Sequence, residues 1–396
     1  YIQEEDYDKK ILIALLTNIF ILSMILVLLS SNVFTFILFW EVMSILSFFL
    51  VLWDFKKEDN YRASLVYITM THIGTVFILL SFIGFYINTK SLNFMDWHNA
   101  VLNPFWISWI FLFSVVGFGM KAGFIGIHNW LPKAHPVAPS FVSALMSGLM
   151  IKMPIYMFIR YYFYFIKHYP VSFGLLIIIV GTITMLFGIL NASVQNTLKK
   201  MLAYSSMENI GIIAVGLGLS MVFKSLNMKE LYSLALAGTL FHILNHSLFK
   251  SLLFMSAGSV ILKTHTQDMS KLGGIIKHAP KLGIITLIGI LSLVALPPFN
   301  GFISEWLLYQ SLLLSLKTKL AYIGIISPLV ASSLAMTGGI AMLSAVKYFG
   351  ITFLGRPRSD IKIASDVSTL SLISMGSLAF SCIFTGMLPF FVLYFV

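Results

Sequence analysis

Apolar residues fall in long, nearly unbroken runs along the whole chain of 396 residues, and short polar segments separate them. A run of about twenty residues is what a helix needs to cross a hydrocarbon core of about 30 Å. Inside that core the backbone must satisfy its own hydrogen bonds, which leaves helices and closed barrels as the only spanning structures. Barrel strands alternate apolar and polar side chains with a period of two, and these runs do not alternate, so helices are predicted. About eleven spans follow. They lie near 10–30, 33–53, 61–88, 105–131, 138–166, 172–192, 198–222, 231–263, 281–317, 322–354 and 366–396. The fold class is therefore an all-α polytopic membrane protein, set in a lipid bilayer.

Composition agrees: 58% of residues are hydrophobic, 10% are charged and there are 35 phenylalanines. A single cysteine, Cys382, excludes an internal disulfide. No Cys/His set has the spacing of a zinc or iron–sulfur site, so no metal or cofactor is expected in this chain and any redox centre is expected in partner subunits. Phosphate-binding loops and nucleophile elbows are also missing from the sequence, and soluble-type catalysis has no support. The start, "YIQEEDYDKK", is mixed in charge and lacks an initiator Met. It is unlike a signal peptide, and residues 1–9 are expected to be a cytoplasmic stretch of a longer chain.

The net charge of +11 raises nucleic acid as a partner. The charges sit in short loops between spans, however, which the positive-inside rule explains without nucleic acid. With alternate loops assigned to opposite sides, one side carries 15 Lys and Arg and the other 7. That bias puts the N-terminus of the chain in the cytoplasm and the C-terminus outside, in a cell membrane.

Four basic residues remain inside the spans, Lys121, Lys152, Lys250 and Lys347, together with the carboxylates Glu41, Glu208 and Glu305. A charge at the bilayer centre costs roughly 2.5–3.5 kcal/mol on insertion scales. These groups are therefore expected to face one another, a wet cavity or a partner. Their order repeats across two sets of five spans, residues 10–166 and 172–354, followed by the C-terminal span 366–396. The second span of each set carries a Glu (Glu41, Glu208), and the third carries His (His72; His242 and His246). The fourth carries a charge beside a Gly/Pro break (Lys121 in "GFGMKAGFIG", Glu305 in "LPPFNGFISEW"), and the fifth carries a Lys (Lys152, Lys347). Five is odd, so the second set enters the membrane from the opposite side and the two form inverted repeats, each with a broken fourth helix.

Interrupted helices at matching places point to an ion or substrate site near the midplane. Gly123 frees the chain just after Lys121, while Pro297 and Pro298 remove donors and Gly301 permits an unwound turn before Glu305. His128 follows Lys121 in "MKAGFIGIHNW". His242, His246 and Lys250, at i, i+4 and i+8, share one helix face and suit a hydrogen-bonded relay. Plainer structural readings compete. His72 has the character of a packing residue, and Glu208 is close enough to Ser205 and Ser206 to act as a cap. Lys347 is within reach of the membrane surface by snorkelling. Glu41, Lys121 and Lys152 suit a buried structural ion pair, although apolar packing is usually cheaper. A bis-His haem is disfavoured, because His242 and His246 lie on adjacent turns of one helix.

Four stretches carry a resemblance: "KAGFIGIHNWLPKAHPVAPSFVSALMSGLMIKMPIY" (121–156), "NTLKKMLAYSSMENIGI" (196–212), "HILNHSLFKSLLFMSAGSV" (242–260) and "LPPFNGFISEWLLYQ" (296–310). In this order they resemble the antiporter-like proton-pumping subunits of respiratory complex I, Mrp cation/proton antiporters and energy-converting membrane-bound hydrogenases. "SSMENIG" and "FLGRPRS" (353–359) look most like the hydrogenase and formate hydrogenlyase branch. The resemblance implies fourteen spans in the family, of which the first three are not in this chain. It also implies that Glu41 and Lys121 form a carboxylate–lysine pair, Lys152 is the connecting lysine, His242 and His246 are the central histidines, Lys250 is the basic residue after them and Glu305 is the final broken-helix charge. Protons, or sodium in exchange for protons, would pass along these groups. The implied partners are other antiporter-like and quinone-chamber-like membrane subunits and a peripheral hydrogenase or dehydrogenase arm holding a nickel–iron centre and iron–sulfur clusters. An Mrp-type antiporter subunit, a complex I subunit and a non-conducting scaffold are the rival readings.

Overall fold

The computed structural model describes residues 7–98, 100–318, 320–358 and 366–394. Lys319 and Lys362, two of the loop charges counted above, Ser359 of the quoted 353–359 stretch and the first six residues lie outside them. The described chain is almost wholly helical and divides into two compact units, residues 1–173 and 174–396.

The first unit contains α1 (Tyr7–Leu29), α2 (Val33–Val51), α3 (Glu58–Thr89), the short α4 (Phe94–His98), α5 (Pro104–Ala122), α6 (Leu131–Val137), α7 (Ser140–Gly148) and α8 (Met153–Ile159). A 3₁₀ turn, Met150–Lys152, separates α7 from α8, and a π-helical turn, Arg160–Phe165, ends the element. Local chemistry sets the boundaries. Asn32 caps α2 by accepting from the Thr35 N–H at 2.9 Å, which satisfies one of the free donors at a helix start. Asn103 does the same for α5, with Pro104 at the first helical position, where no N–H is needed. An aromatic cluster fills the space between α2, α3, α4 and the π-helical turn, with Phe85 stacked on Trp97 at 4.3 Å and Phe94 and Phe165 edge-on to their neighbours.

The second unit contains α9 (Val171–Val194, whose first three residues belong to the first unit), α10 (Leu198–Ser225), α11 (Lys229–Thr264), α12 (Pro280–Leu293), α13 (Asn300–Ser315), α14 (Ala321–Phe349), α15 (Thr369–Met387) and the short α16 (Phe390–Leu393). A π-helical turn, Gly350–Leu354, ends α14. Helix α10 is buried along almost its whole length. It meets α9 through glycines spaced seven apart, with Gly174 against Gly218 and Gly181 against Gly211. Without side chains there, the two backbones approach to near contact, the small-residue packing typical of membrane helices.

Each unit holds the same closing motif. In the first, Lys90 ends α3 in the left-handed conformation, Val33 N donates to Leu92 O at 3.0 Å and Phe94 N donates to Ser31 O at 2.9 Å. In the second, His265 ends α11 left-handed, Leu198 N donates to Gln267 O at 2.9 Å and Met269 N donates to Asn196 O at 2.8 Å. Thr89 and Thr264 each cap their helix by donating back to it and to the residue two further on. The shared pattern Thr-x-Ser/Thr-x-Asn/Asp, at 89–93 and 264–268, is the chemical basis of the turn.

Among the described residues, nine helical segments are long and apolar enough to cross a membrane. Helix α11 is not among them: at 36 residues it is long, but His242, His246 and Lys250 dilute its hydropathy. The run 281–317 is not among them either, because it is interrupted between Leu293 and Asn300, leaving helices of 14 and 16 residues. Two expected spans are also shorter. The span 105–131 stops at Ala122, where Gly123 turns left-handed at φ 94°. The terminal span 366–396 stops at Met387, with Pro389 starting a separate short turn.

Candidate functional site

In the first unit the buried centre is Lys121, 1% exposed in the last turn of α5. The helix ends there because Gly119 O accepts from both Gly123 N (2.8 Å) and Phe124 N (2.9 Å), and Trp130 closes the loop by donating its indole N–H to Met120 O at 2.7 Å. The break thus keeps its backbone satisfied inside the protein, as a membrane interior demands. Lys121 Nζ donates to Ser44 Oγ at 3.0 Å and to Tyr67 Oη at 3.1 Å, and it lies 5.1 Å from the Tyr67 ring centre and 5.9 Å from that of Trp40. Hydroxyls and ring faces hold the ammonium where water is excluded. Tyr67 is also hydrogen-bonded to Ser47 Oγ at 2.5 Å and lies 3.5 Å from Met150 Sδ, in the 3₁₀ turn that presents Lys152.

Glu41 is placed differently from the direct pair that the resemblance implied. Its Oε2 lies 3.2 Å from His72 Nε2, and its buried Oε1 has no hydrogen-bond partner. Lys121 and Glu41 sense each other electrostatically, but among the described residues no ion pair within 4.0 Å joins them. Glu41 and Ser44 are one helical turn apart on α2, so Lys121 reaches the face of α2 that carries Glu41 through the serine. His72 is 49% exposed and its Nδ1 lies 3.0 Å from Ile68 O. His128 is nearly buried in the loop after α5, and Lys152 is buried with its Nζ donating to Ser147 O.

Tyr67, Ser44, Ser47 and Trp40 were not singled out from the sequence. Their trace there is weak: Tyr67, Thr71, Gly74, Thr75 and Ile78 form the buried stripe of α3 at helical spacing. Tyr67→Phe removes an acceptor from the buried ammonium. It is expected to cost about 1.5–3 kcal/mol, the range for a hydrogen bond to a charged group. The readout is a lower thermal unfolding midpoint in mild detergent, and an unchanged midpoint would mean that Lys121 does not depend on the phenol.

In the second unit the buried polar residues form a string. Lys250 Nζ donates to Ser205 Oγ and, at 3.4 Å, to Leu202 O. Asn209 donates to Ser205 O at 2.8 Å, and its Oδ1 lies 3.1 Å from His242 Nε2. His242 Nδ1 lies 3.0 Å from Ser304 Oγ, which also accepts from Asn245 Nδ2 at 3.1 Å. Ser304 opens onto the break between α12 and α13, next to Glu305. Ala295 is left-handed there at φ 52°, and Asn245 donates to Asn300 O at 2.8 Å. Gly301 and Gly386 let Ser292 O and the 298–300 backbone come close, where a Cβ would collide.

Glu208 is buried on α10 within electrostatic range of Lys250 and Glu305. It does not cap with Ser205 or Ser206, since both hydroxyls donate to Leu202 O, and its Oε2 has no hydrogen-bond partner. His246 is buried and meets Phe249 edge-on at 5.5 Å. Glu305 is only partly exposed. Lys347 is partly buried at the end of α14 and donates to Ser193 O at 3.0 Å. Of the break residues, Gly123 supplies the left-handed turn, Pro297 and Pro298 occupy the interruption and Gly301 permits the close approach. Among the described residues, no group of three His, Cys, Asp or Glu side chains is placed to hold a metal ion.

Lys250 and Asn209 meet Ser205 at different atoms, its hydroxyl and its backbone carbonyl, so the direct bonds allow hydrogen-bond reversal only around His242. With Asn209 Nδ2 donating to Ser205, its Oδ1 faces His242 Nε2, which assigns a proton to Nε2. Neutral His242 then accepts from the Ser304 hydroxyl at Nδ1. A protonated His242 donates to Ser304 instead, and the Ser304 proton turns to Gly301 O, 3.0 Å away.

The chain is similar to two Escherichia coli K12 proteins. It is 39% identical to "Hydrogenase-4 component B" over 97% of this chain and 57% of that protein, and 34% identical to "Formate hydrogenlyase subunit 3" over 93% and 60%. It therefore spans about three-fifths of the length of these relatives. It is also 32% identical to the "Na(+)/H(+) antiporter subunit A1" of Staphylococcus saprophyticus, over 94% of this chain and 47% of that one. Its fold matches a chain of the Mrp complex of Dietzia sp. DQ12-45-1b with a TM-score of 0.82 at 21% identity, over 96% of this chain and 75% of that one. A chain of an archaeal membrane-bound sulfane sulfur reductase matches with a TM-score of 0.83 at 22% identity, over 96% and 74%. The family described as NADH:quinone oxidoreductase/Mrp antiporter, transmembrane, matches residues 30–331, and this polytopic membrane protein belongs to it.

Proposed function

We propose that the chain translocates protons, or exchanges sodium for protons, as the antiporter-like subunit of a redox-driven membrane complex of the hydrogenase or formate hydrogenlyase type. The observation that carries this reading is the row of buried polar residues Lys250, Ser205, Asn209, His242 and Ser304 beside an interrupted helix, hydrogen-bonded pairwise with Ser205 contributing its hydroxyl to Lys250 and its carbonyl to Asn209. Asn245 Oδ1 and Glu208 Oε2 have no hydrogen-bond partner in the same unit. Buried polar atoms normally find partners, which supports reading these as acceptors for water or for an ion in transit. In the first unit Lys121, Tyr67, Ser44 and Glu41 form a second polar centre at another interrupted helix.

In this reading the two sets of five spans are inverted repeats, and the N-terminus of the chain lies in the cytoplasm with the C-terminus outside. Partner subunits, including a peripheral arm with a nickel–iron centre and iron–sulfur clusters, supply the redox energy. The names of the Escherichia coli relatives support the hydrogenase branch, and the staphylococcal relative supports an Mrp-type antiporter as the second reading.

Elemental and flavin analysis of the complex that co-purifies with this chain, paired with ion uptake by vesicles holding it, separates these readings. Nickel with iron and redox-linked uptake is expected. Iron and flavin without nickel would transfer the chain to a complex I-like dehydrogenase, and uptake without any redox cofactor would make it an Mrp-type antiporter subunit. A complex that turns over and moves no ions would leave only the scaffold.

A further inference from the structure

One end of the second unit holds a cavity of about 540 Å³ between the start of α11 and the end of α13, lined by Glu230, Leu231, Leu234, Leu314, Lys317 and Thr318. Its polar wall has both signs of charge. Among the described residues, no ion pair within 4.0 Å joins Glu230 to Lys317, although both face the same space. The Thr318 hydroxyl is buried in this wall and has no hydrogen-bond partner. The rest of the lining is Leu231, Leu234 and Leu314, and Leu313, Leu314 and Leu316 expose apolar surface nearby in the chain.

This arrangement sits between the start of α11 and the end of α13, and helix ends of a polytopic protein are where lipid headgroups are expected. We infer that the cavity binds the headgroup of one zwitterionic phospholipid of the phosphatidylethanolamine type. The primary ammonium pairs with Glu230, the phosphate with Lys317, and the Thr318 hydroxyl donates to a phosphate oxygen. The acyl chains run along the leucine wall. Charge complementarity selects this occupant, because an anionic headgroup leaves Glu230 unpaired and repelled, whereas a zwitterion satisfies both charges at once.

The test uses the purified complex, stripped of lipid, transferred into nanodiscs of equal parts phosphatidylethanolamine and phosphatidylglycerol and released for native mass spectrometry. The expected result is preferential retention of one phosphatidylethanolamine per copy. Glu230→Gln and Lys317→Gln are each expected to lower that retention by about tenfold, the effect of losing one hydrogen bond between charged groups. Equal retention of phosphatidylglycerol, or full retention in both variants, would overturn the assignment. If the charge variants fail to assemble, Leu234→Trp fills the cavity from its apolar wall and is expected to expel the lipid. Retention in that variant would overturn the proposal, as would a neighbouring protein chain crosslinked to Lys317 in native membranes with no lipid retained.

Discussion

Lys121→Ala is expected to lower ion uptake roughly 100-fold in vesicles carrying the assembled complex, within the range for removing a group that transfers protons. The physical basis is the burial of the ammonium against Ser44, Tyr67 and Trp40, in electrostatic contact with Glu41. A buried charge responds strongly to changes nearby, because the surroundings screen it weakly. On the proposed function, a redox event in partner subunits that alters Glu41 would change whether Lys121 holds its proton. Alanine removes the group that senses this and leaves Ser44 and Tyr67 with hydroxyls that can still bond elsewhere. The measurement is ion uptake alongside electron transfer by the same preparation. Loss of uptake with electron transfer retained would separate transport from assembly, whereas unchanged values for both would refute the role of Lys121.

The second large effect is on folding. A Cβ at Gly188 would lie 2.5 Å from the backbone nitrogen of Glu208, 2.9 Å from its Cα and 3.0 Å from Tyr204 O. All three atoms belong to the backbone of α10, so no side chain can turn aside to make room. Gly188→Ala is expected to cost about 1–3 kcal/mol, the range for overpacking a close-packed interior. Gly188→Leu is expected to abolish accumulation of the assembled complex, since the larger side chain would drive α9 from α10. Gly339→Ala is the control: its Cβ meets nothing within 4 Å, and wild-type amounts are expected. Immunoblotting of membranes together with thermal inactivation measures all three, and normal assembly of Gly188→Leu would show that α9 and α10 do not meet as closely as described.

The embedded charges were legible in the sequence because a Lys or Glu inside an apolar run is conspicuous and expensive. Lys121, Lys152, Glu208, His242, His246 and Lys250 are all buried. Both helix interruptions were visible from Gly123 and from Pro297–Pro298, although the first helix ends earlier than expected and the second interruption splits a whole span. The partners of the charges were not legible. Serine, threonine and tyrosine are common in membrane helices and usually bond back to their own backbone, as Ser44 does to Trp40 O at 2.9 Å. Nothing in their spacing separates such a residue from one that also receives a lysine. Spacing also did not separate Glu41 meeting His72 from Glu41 meeting Lys121, because helix rotation decides which partner an embedded carboxylate faces. The closing motif at 89–93 and 264–268 was written in plain cap residues, but two five-residue patterns far apart in the chain stand out only when their hydrogen bonds are seen.

The glycine seam between α9 and α10 also bears on time. Two backbones in near contact at Gly174, Gly181 and Gly188 leave little room to slide or roll past each other, so α10 is expected to stay fixed against α9. Displacements of whole helices belong to the microsecond to millisecond range, whereas side-chain rotation and hydroxyl reorientation are far faster. On the proposed function, a charge passing Glu208 would be carried by the fast motions, and the amide hydrogens of α10 are expected to be among the last in the second unit to exchange with solvent.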